Sequence, residues 1–343
     1  MKHQIEVPVE QKGFEKRVSS LHSSKIILVT GASGFIGRSL VKSLCENGYE
    51  VRATVRSASA AALLSDDKSQ LNLKNLTIFN LGELTDETDW RAVLACVDTV
   101  IHCAARAHIL KETSSNPLET FRQMNTRVTA HLAQQAYELN VRRFIFLSSM
   151  GVLGRSSHKM PFTDESSPNP QVPYAQAKWE AEQCLHAIPN TLDKVIIRPP
   201  LVYGVGVKGN LGLLMTAIKM HIPLPLGAVK NRRQMLGMNN LVDFILTCVQ
   251  SEKTINDTFL IADKEVVSTT ELLNHLADAV GKRAFLLPVS PRFLNRMLLL
   301  LGKSGMAEQL LGNFEIKSDK AQQLLGWAPR YSMQEQLRSL RTK

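Results

Sequence analysis

The chain has 343 residues, 44% hydrophobic and 21% charged, which is enough apolar material for one large domain or two interlocked ones and excludes extensive disorder. Its five cysteines (Cys45, Cys96, Cys103, Cys184, Cys248) are odd in number and form no CxxC or Cys/His cluster; no metal site is expected, and reduced thiols point to a cytoplasmic protein. The net charge is +10, but the basic residues are scattered without an aromatic-interleaved platform, which argues against nucleic acid and leaves Lys230, Arg232 and Arg233 as a compact cluster suited to a small polyanion.

Residues 1–24 lack the apolar core of a secretory signal and read as a loosely ordered extension. From Lys25 short β-branched runs alternate with amphipathic segments, the pattern of a parallel sheet with helices on both faces. Strands are expected at Ile26–Thr30, Val51–Val55, Leu76–Phe79, Thr99–Ile101, Phe144–Ser148 and Val195–Arg198, and helices at Ile36–Asn47, Asp89–Ala95, Pro117–Leu139 and Tyr174–Ala187. After Pro199 the alternation breaks up: a Gly- and Pro-rich stretch to Arg233, a helix near Leu241–Gln250, a strand near Asp257–Ile261 and a helix opening at Thr269 or Thr270. The expected architecture is α/β, a Rossmann-like doubly wound parallel sheet over 25–198, rejoined by about 236–262, with residues 199–343 mainly forming a smaller mixed α/β substrate lobe. The apolar run Met297–Leu301 is far too short for the roughly 20 residues that span a bilayer; of peripheral membrane contact and a buried helix, the buried helix is favoured.

Thr30-Gly31-Ala32-Ser33-Gly34-Phe35-Ile36-Gly37 is a glycine-rich turn between a strand and a helix. Gly31 permits the tight turn, Gly34 the approach of a pyrophosphate, and Gly37 close helix packing, so a dinucleotide at the helix N-terminus is favoured over an ordinary glycine turn. The second strand ends Val55-Arg56, with Val55 where an NAD-specific enzyme would place an acid. Arg56 suits a 2′-phosphate, so NADP(H) is favoured over NAD(H), the alternative being a solvated arginine.

Tyr174 and Lys178 are four residues apart, so on a helix they share a face. A neighbouring ammonium is expected to lower the phenol's pKa and fit Tyr174 for proton exchange with a sugar hydroxyl or ketone. Ser148-Ser149, at the end of the Phe144 strand, offers a hydroxyl for the reacting oxygen.

Together with His102-Cys103-Ala104-Ala105, Asn125-Thr126, Leu147-Ser148-Ser149 and Arg198-Pro199-Pro200-Leu201-Val202-Tyr203-Gly204, these motifs make the chain resemble the extended short-chain dehydrogenase/reductase family, in its nucleotide-sugar epimerase, dehydratase and reductase branch. The resemblance runs from about Lys25 to the C-terminus, where Leu325-Gly326-Trp327-Ala328-Pro329 looks like a family signature. It implies that Ser149, Tyr174 and Lys178 are catalytic, with Asn125 supporting the site. Gly31, Ser33, Gly34, Phe35, Ile36, Gly37 and Arg56 would bind the cofactor, beside His102, Ala104, Tyr174, Lys178 and Pro199. Ser149, Asn210 (in Lys208-Gly209-Asn210) and Arg233 would meet the substrate.

Two departures matter: Leu153 replaces a tyrosine common in hexose 4-epimerases, and Arg56 follows a non-acidic strand end as in NADPH-using reductases. Arg56 therefore favours net reduction with NADPH, and Pro223-Leu224-Pro225-Leu226-Gly227 followed by Asn231-Arg232-Arg233 looks like bacterial enzymes that reduce a UDP-4-keto-6-deoxy-N-acetylhexosamine at C4 for surface polysaccharide. The alternatives are a UDP-glucose or UDP-N-acetylglucosamine 4-epimerase retaining NAD, and a non-catalytic dinucleotide sensor or RNA-binding relative. His102 also reads as a packed strand end, Cys103 as a buried filler and Arg233 as a surface charge. Pro117–Leu139 and Tyr174–Ala187 could pair with a second subunit as a homodimer, or bury their apolar faces within the monomer.

Overall fold

In the computed structural model, which describes residues 25–107, 115–158, 160–207 and 209–338, seven runs become one all-parallel sheet. The strands are β1 (Ile26–Thr30), β2 (Glu50–Val55), β3 (Leu76–Asn80), β4 (Val97–His102), β5 (Arg143–Leu147), β6 (Asp193–Arg198) and, after the short pair β7 (Val202–Tyr203) and β8 (Leu236–Gly237), β9 (Asn256–Leu260). Their order is β3-β2-β1-β4-β5-β6-β9. The chain steps outward from β1 to β3 and then returns to β4 on the other side of β1. The crevice at the C-terminal ends of β1 and β4 is thus the topological switch point where such sheets bind ligands. The expected 1–24 extension lies outside the described residues, as does Lys208.

Side-chain alternation along the strands builds a core on each face. Ile27, Val29, Ala53, Ile145 and Ile197 pack with α1 (Phe35–Glu46) and with Leu241, Phe244 and Ile245 of a later helix, Met238–Gln250. Leu28, Val100, Phe144, Phe146 and Ile196 face the other way, onto Val128, Leu132, Ala133, Ala181 and Leu185. The apolar faces of both helices considered for dimerisation are therefore spent inside the monomer.

Three elements differ from expectation. Helix α2 (Ala58–Gln70), N-capped by the Ser57 side chain, has no counterpart among the expected helices; it buries only Leu64, so it carries almost no amphipathic pattern. The helix expected at Asp89–Ala95 shrinks to α3 (Arg91–Leu94). The helix expected at Pro117–Leu139 is divided into α4 (Pro117–Arg122), a π-turn (Gln123–Arg127) and α5 (Val128–Glu138). The π-turn holds buried Asn125, whose Oδ1 accepts from the Arg106 N–H (2.8 Å) and whose Nδ2 donates to the Arg106 carbonyl (3.1 Å).

After α6 (Pro173–Ala187) and β6, a separate cluster around Leu211, Ile218, Leu226, Met235, Leu273 and Leu276 forms the lobe core. It draws on α7 (Gly209–Lys219) and, beyond α8 (Met238–Gln250), on α9 (Thr269–Ala279), which starts in a capping box of Ser268 and Glu271. Then follow α10 (Pro291–Leu300), α11 (Ser304–Leu311), α12 (Lys320–Leu325) and α13 (Met333–Arg338). Gly326, at φ +66°, ends α12 and turns Trp327 back onto Phe244 in the sheet core. Buried Asp263 ties lobe to sheet, accepting from the Tyr203 hydroxyl (2.6 Å), Asn240 Nδ2 (2.7 Å) and the Gly237 N–H (3.0 Å).

Candidate active site

The glycine turn is set by contact as well as conformation. Gly31 sits at φ +64°, and a Cβ there would lie 2.7 Å from the Ala104 nitrogen; a Cβ on Gly37 would lie 2.2 Å from the Gly31 oxygen. Side chains at either position would force apart β1, α1 and the end of β4. Gly34 caps α1 without a side-chain hydrogen bond, so the first-turn N–H groups are left to a ligand or solvent. Backbone packed this closely, with an open helix N-terminus at the switch point, fits a dinucleotide pyrophosphate. Ser33, Phe35 and Ile36 line the same turn, and buried Pro199 lies at the end of β6, its carbonyl accepting from Met150 N–H (3.0 Å).

His102 is fully buried, between hydroxyls 2.7 Å (Thr30 Oγ1) and 3.0 Å (Thr129 Oγ1) from its two ring nitrogens. Thr129 Oγ1 donates to the Asn125 carbonyl (2.8 Å), so it must accept from Nε2–H; Nδ1 then accepts from Thr30, which in turn accepts from Ala104 N–H (3.3 Å). This directed chain ties the cofactor turn to the π-turn. Burial pushes the imidazole down to about 3, with a smaller contribution from Lys178, so His102 is neutral and structural in action. Burial also pushes the Cys103 thiol up to about 12, which suits a filler better than a nucleophile.

Tyr174 and Lys178 stand one turn apart on α6. Tyr174 is half-buried, edge-on to Phe121 at 6.0 Å. Lys178 is buried; its ammonium donates to the Leu147 carbonyl (2.7 Å) and lies 4.4 Å from the Phe146 ring centroid. The expected lowering of the phenol's pKa by the lysine is not found. Lys178 is directed at the end of β5, and desolvation alone acts on Tyr174, pushing it up to about 12. Lys178 is itself lowered to about 8, by burial first. Ser149, partly exposed just past β5, accepts at Oγ from Gly151 N–H (3.0 Å), leaving its hydroxyl proton to a ligand.

One buried group escaped the motifs. Glu182 continues the Tyr174–Lys178 stripe one further turn, accepts from the Ser148 hydroxyl and forms a two-point ion pair with Arg198 (3.1 and 2.5 Å). The i, i+4, i+8 spacing was its only sequence signal. Leu153 is buried with Met150, Leu260 and Phe314 and is a core residue.

Arg56 is exposed at the C-terminal end of β2, beside the Ser57 cap of α2. In the lobe, Asn210 is exposed and donates to Gln309 Oε1 (2.8 Å). Arg233 donates to the Gly312 carbonyl (2.9 Å), lies 5.6 Å from the Phe314 ring centroid and has no acidic partner among the described residues. Burial lowers its guanidinium to about 10. Arg232 is instead paired with Glu315 (2.8 Å). Asn210 and Arg233 thus both meet the end of α11. Among the described residues no group of His, Cys, Asp or Glu could hold a metal ion, and no helix is long and apolar enough to cross a membrane.

Residues 27–262 match the NAD dependent epimerase/dehydratase family. The chain belongs to that family. It is an enzyme family of the extended short-chain dehydrogenase/reductase type, as the motifs implied. A UDP-glucose 4-epimerase of Vibrio cholerae is 38% identical, over 91% of this chain and 93% of the relative. An N-acetyl-α-D-glucosaminyl-diphospho-ditrans,octacis-undecaprenol 4-epimerase of Escherichia coli O157:H7 is 24% identical over 75% of this chain and 73% of its own. The fold is that of UDP-glucuronic acid 4-epimerase from Bacillus cereus, solved with UDP-glucuronic acid and NAD (TM-score 0.72, 21% identity, 92% of this chain and 97% of that one).

Proposed function

We propose that the enzyme moves hydride at C4 of a UDP-linked hexose, with Tyr174 exchanging the proton of the C4 oxygen. The observation that carries this reading is the α6 stripe laid against the end of β5: Tyr174 half-buried on one turn, Lys178 one turn on and anchored on Leu147, and Ser149 just past β5 with a free hydroxyl proton. A nicotinamide cofactor, when bound, supplies or takes up the hydride. Gly31, Ser33, Gly34, Phe35, Ile36 and Gly37 would hold its pyrophosphate, with Ala104 and Pro199 beside it and His102 fixing the turn from beneath. Ser149 hydrogen-bonds the C4 oxygen, Lys178 holds positive charge next to it, and Asn125 holds the Arg106 backbone through the π-turn. Asn210 and Arg233 bind the diphosphate.

The direction we favour is net reduction of a UDP-4-keto-6-deoxy-N-acetylhexosamine by NADPH, in the cytoplasm. Two features support it. Arg56 stands exposed at a strand end that carries no carboxylate, and a phenol held up to about 12 rests as the acid that a ketone needs. A second reading, a UDP-hexose 4-epimerase with retained NAD, is supported by the Vibrio cholerae relative. The proposal includes a homodimer, formed by surfaces other than the apolar faces of α4, α5 and α6 that the monomer buries.

The test is NADPH and NADH consumption with that 4-keto sugar by wild type, Arg56→Ala and Tyr174→Phe. Preferential NADPH use, with preference lost in the first variant and turnover in the second, supports reduction. Interconversion of UDP-N-acetylglucosamine and its 4-epimer with no net nicotinamide turnover supports epimerisation instead.

A further inference from the structure

The run Met297–Leu301, expected to be buried, is a helix end that faces out. In α10 only Leu294 and Leu298 are buried; Phe293 is 63% exposed, Leu299 52%, Leu300 84% and Leu301 61%. Phe293, Met297 and Leu300 fall at i, i+4 and i+7 and so form one outward stripe. Arg292, Arg296 and Leu299 form a second stripe beside it. The preceding segment adds Phe285 (53%), whose carbonyl accepts from Leu224 N–H, shortly after exposed Met220 and Ile222 in the chain.

Between Asp278 and Glu308 the stretch of chain that carries most of these side chains bears charge of one sign. From Val280 to Ala307 the chain has five cations, Lys282, Arg283, Arg292, Arg296 and Lys303, and no Asp or Glu. All five are exposed, and none is in an ion pair among the described residues. An exposed apolar stripe rimmed by unpaired cations is complementary to a surface that is apolar within and anionic at its face.

We propose that α10 and the segment leading into it form a docking surface for an anionic lipid bilayer, with Phe293, Met297 and Leu300 entering the headgroup boundary and the arginines on lipid phosphates. The surface bears on the site. α10 packs on α11, and the end of α11 carries Gln309, bonded to Asn210, and Gly312, bonded to Arg233. Docking therefore holds the substrate lobe against the membrane. The inference does not depend on the direction of the C4 chemistry.

The test is cosedimentation of the full chain with phosphatidylcholine vesicles, with and without phosphatidylglycerol. Wild type is expected to sediment with the anionic vesicles only. At about a fivefold loss per cation, Arg292→Gln/Arg296→Gln weakens partitioning roughly 30-fold. Phe293→Ser/Leu300→Ser abolishes the binding that survives high salt, and both double variants keep wild-type melting temperature and turnover of soluble UDP-sugar. Failure of wild type to sediment, or equal binding to neutral vesicles, overturns the proposal. So does a dimer, seen by sedimentation velocity, that Phe293→Ser/Leu300→Ser dissociates in the absence of vesicle binding, since the stripe would then be an interface between copies.

Discussion

Replacing Glu182 by Gln tests whether the buried ion pair beneath the site is structural. Glu182 is fully buried, and its two oxygens are engaged by Arg198 at 3.1 and 2.5 Å and by the Ser148 hydroxyl. An amide of the same shape removes the charge but leaves the buried Arg198 guanidinium without a counterion, a change that costs about 3–5 kcal/mol. Against a total stability of about 5–15 kcal/mol, that is a large fraction. Urea unfolding followed by circular dichroism reads it directly. Glu182→Gln/Arg198→Met should recover at least half of the loss, because no orphan charge remains. A loss below about 1 kcal/mol, or a double variant no more stable than the single one, would refute the reasoning. There is a functional readout too. Glu182 helps to raise the Lys178 pKa against the burial that lowers it, so the Gln variant should lose Lys178's proton at a lower pH, and the alkaline limb of the rate profile should move down.

Tyr174→Phe should lower turnover about 10²- to 10⁴-fold with unfolding little changed, since only the phenol oxygen is removed and it has no hydrogen-bond partner among the described residues; unchanged turnover would remove Tyr174 from the chemistry. His102 is held down to about 3 in the fold against 6.5 unfolded, so the unfolded chain binds the extra proton between those values. Stability should therefore fall as pH drops from about 6.5 toward 3, and His102→Gln should flatten that part of a urea-midpoint-versus-pH curve. Gly37→Ala, whose Cβ would lie 2.2 Å from the Gly31 oxygen, should cost about 1–3 kcal/mol or more in unfolding and weaken nicotinamide dinucleotide binding, measured by calorimetry.

What could be seen in the sequence were the local patterns. The β1 strand, the glycine turn and the Tyr174–Lys178 spacing depend on neighbours within a few residues, and the structure assembles them as read. Asn125 shows where local reading stops. Its position in a helix was legible, but not the π-turn, because the backbone it clamps belongs to Arg106, 19 residues away. Glu182 lay on a visible stripe, but its importance comes from Arg198, a further 16 residues along, and Ser148, 34 residues back. The Met297–Leu301 run failed differently. Its helical form was legible, yet hydrophobicity alone does not say which side of a helix finds a partner, and only Leu294 and Leu298 do.

The basic cluster makes the same point with charge. Lys230, Arg232 and Arg233 are near-equivalent along the chain, and a polyanion could have been assigned to any of them. The fold separates them through Glu315, which takes Arg232 and leaves Arg233 against Phe314 and, among the described residues, one carbonyl. A desolvated guanidinium with one neutral acceptor is electrostatically incomplete, whereas a surface arginine paired with glutamate is not. A substrate diphosphate bound by Arg233, as proposed, would lie at the end of α11, the element that also holds Asn210. Under the proposed function, the substrate's diphosphate and the packing of α10 on α11 would bear on the same short stretch of chain.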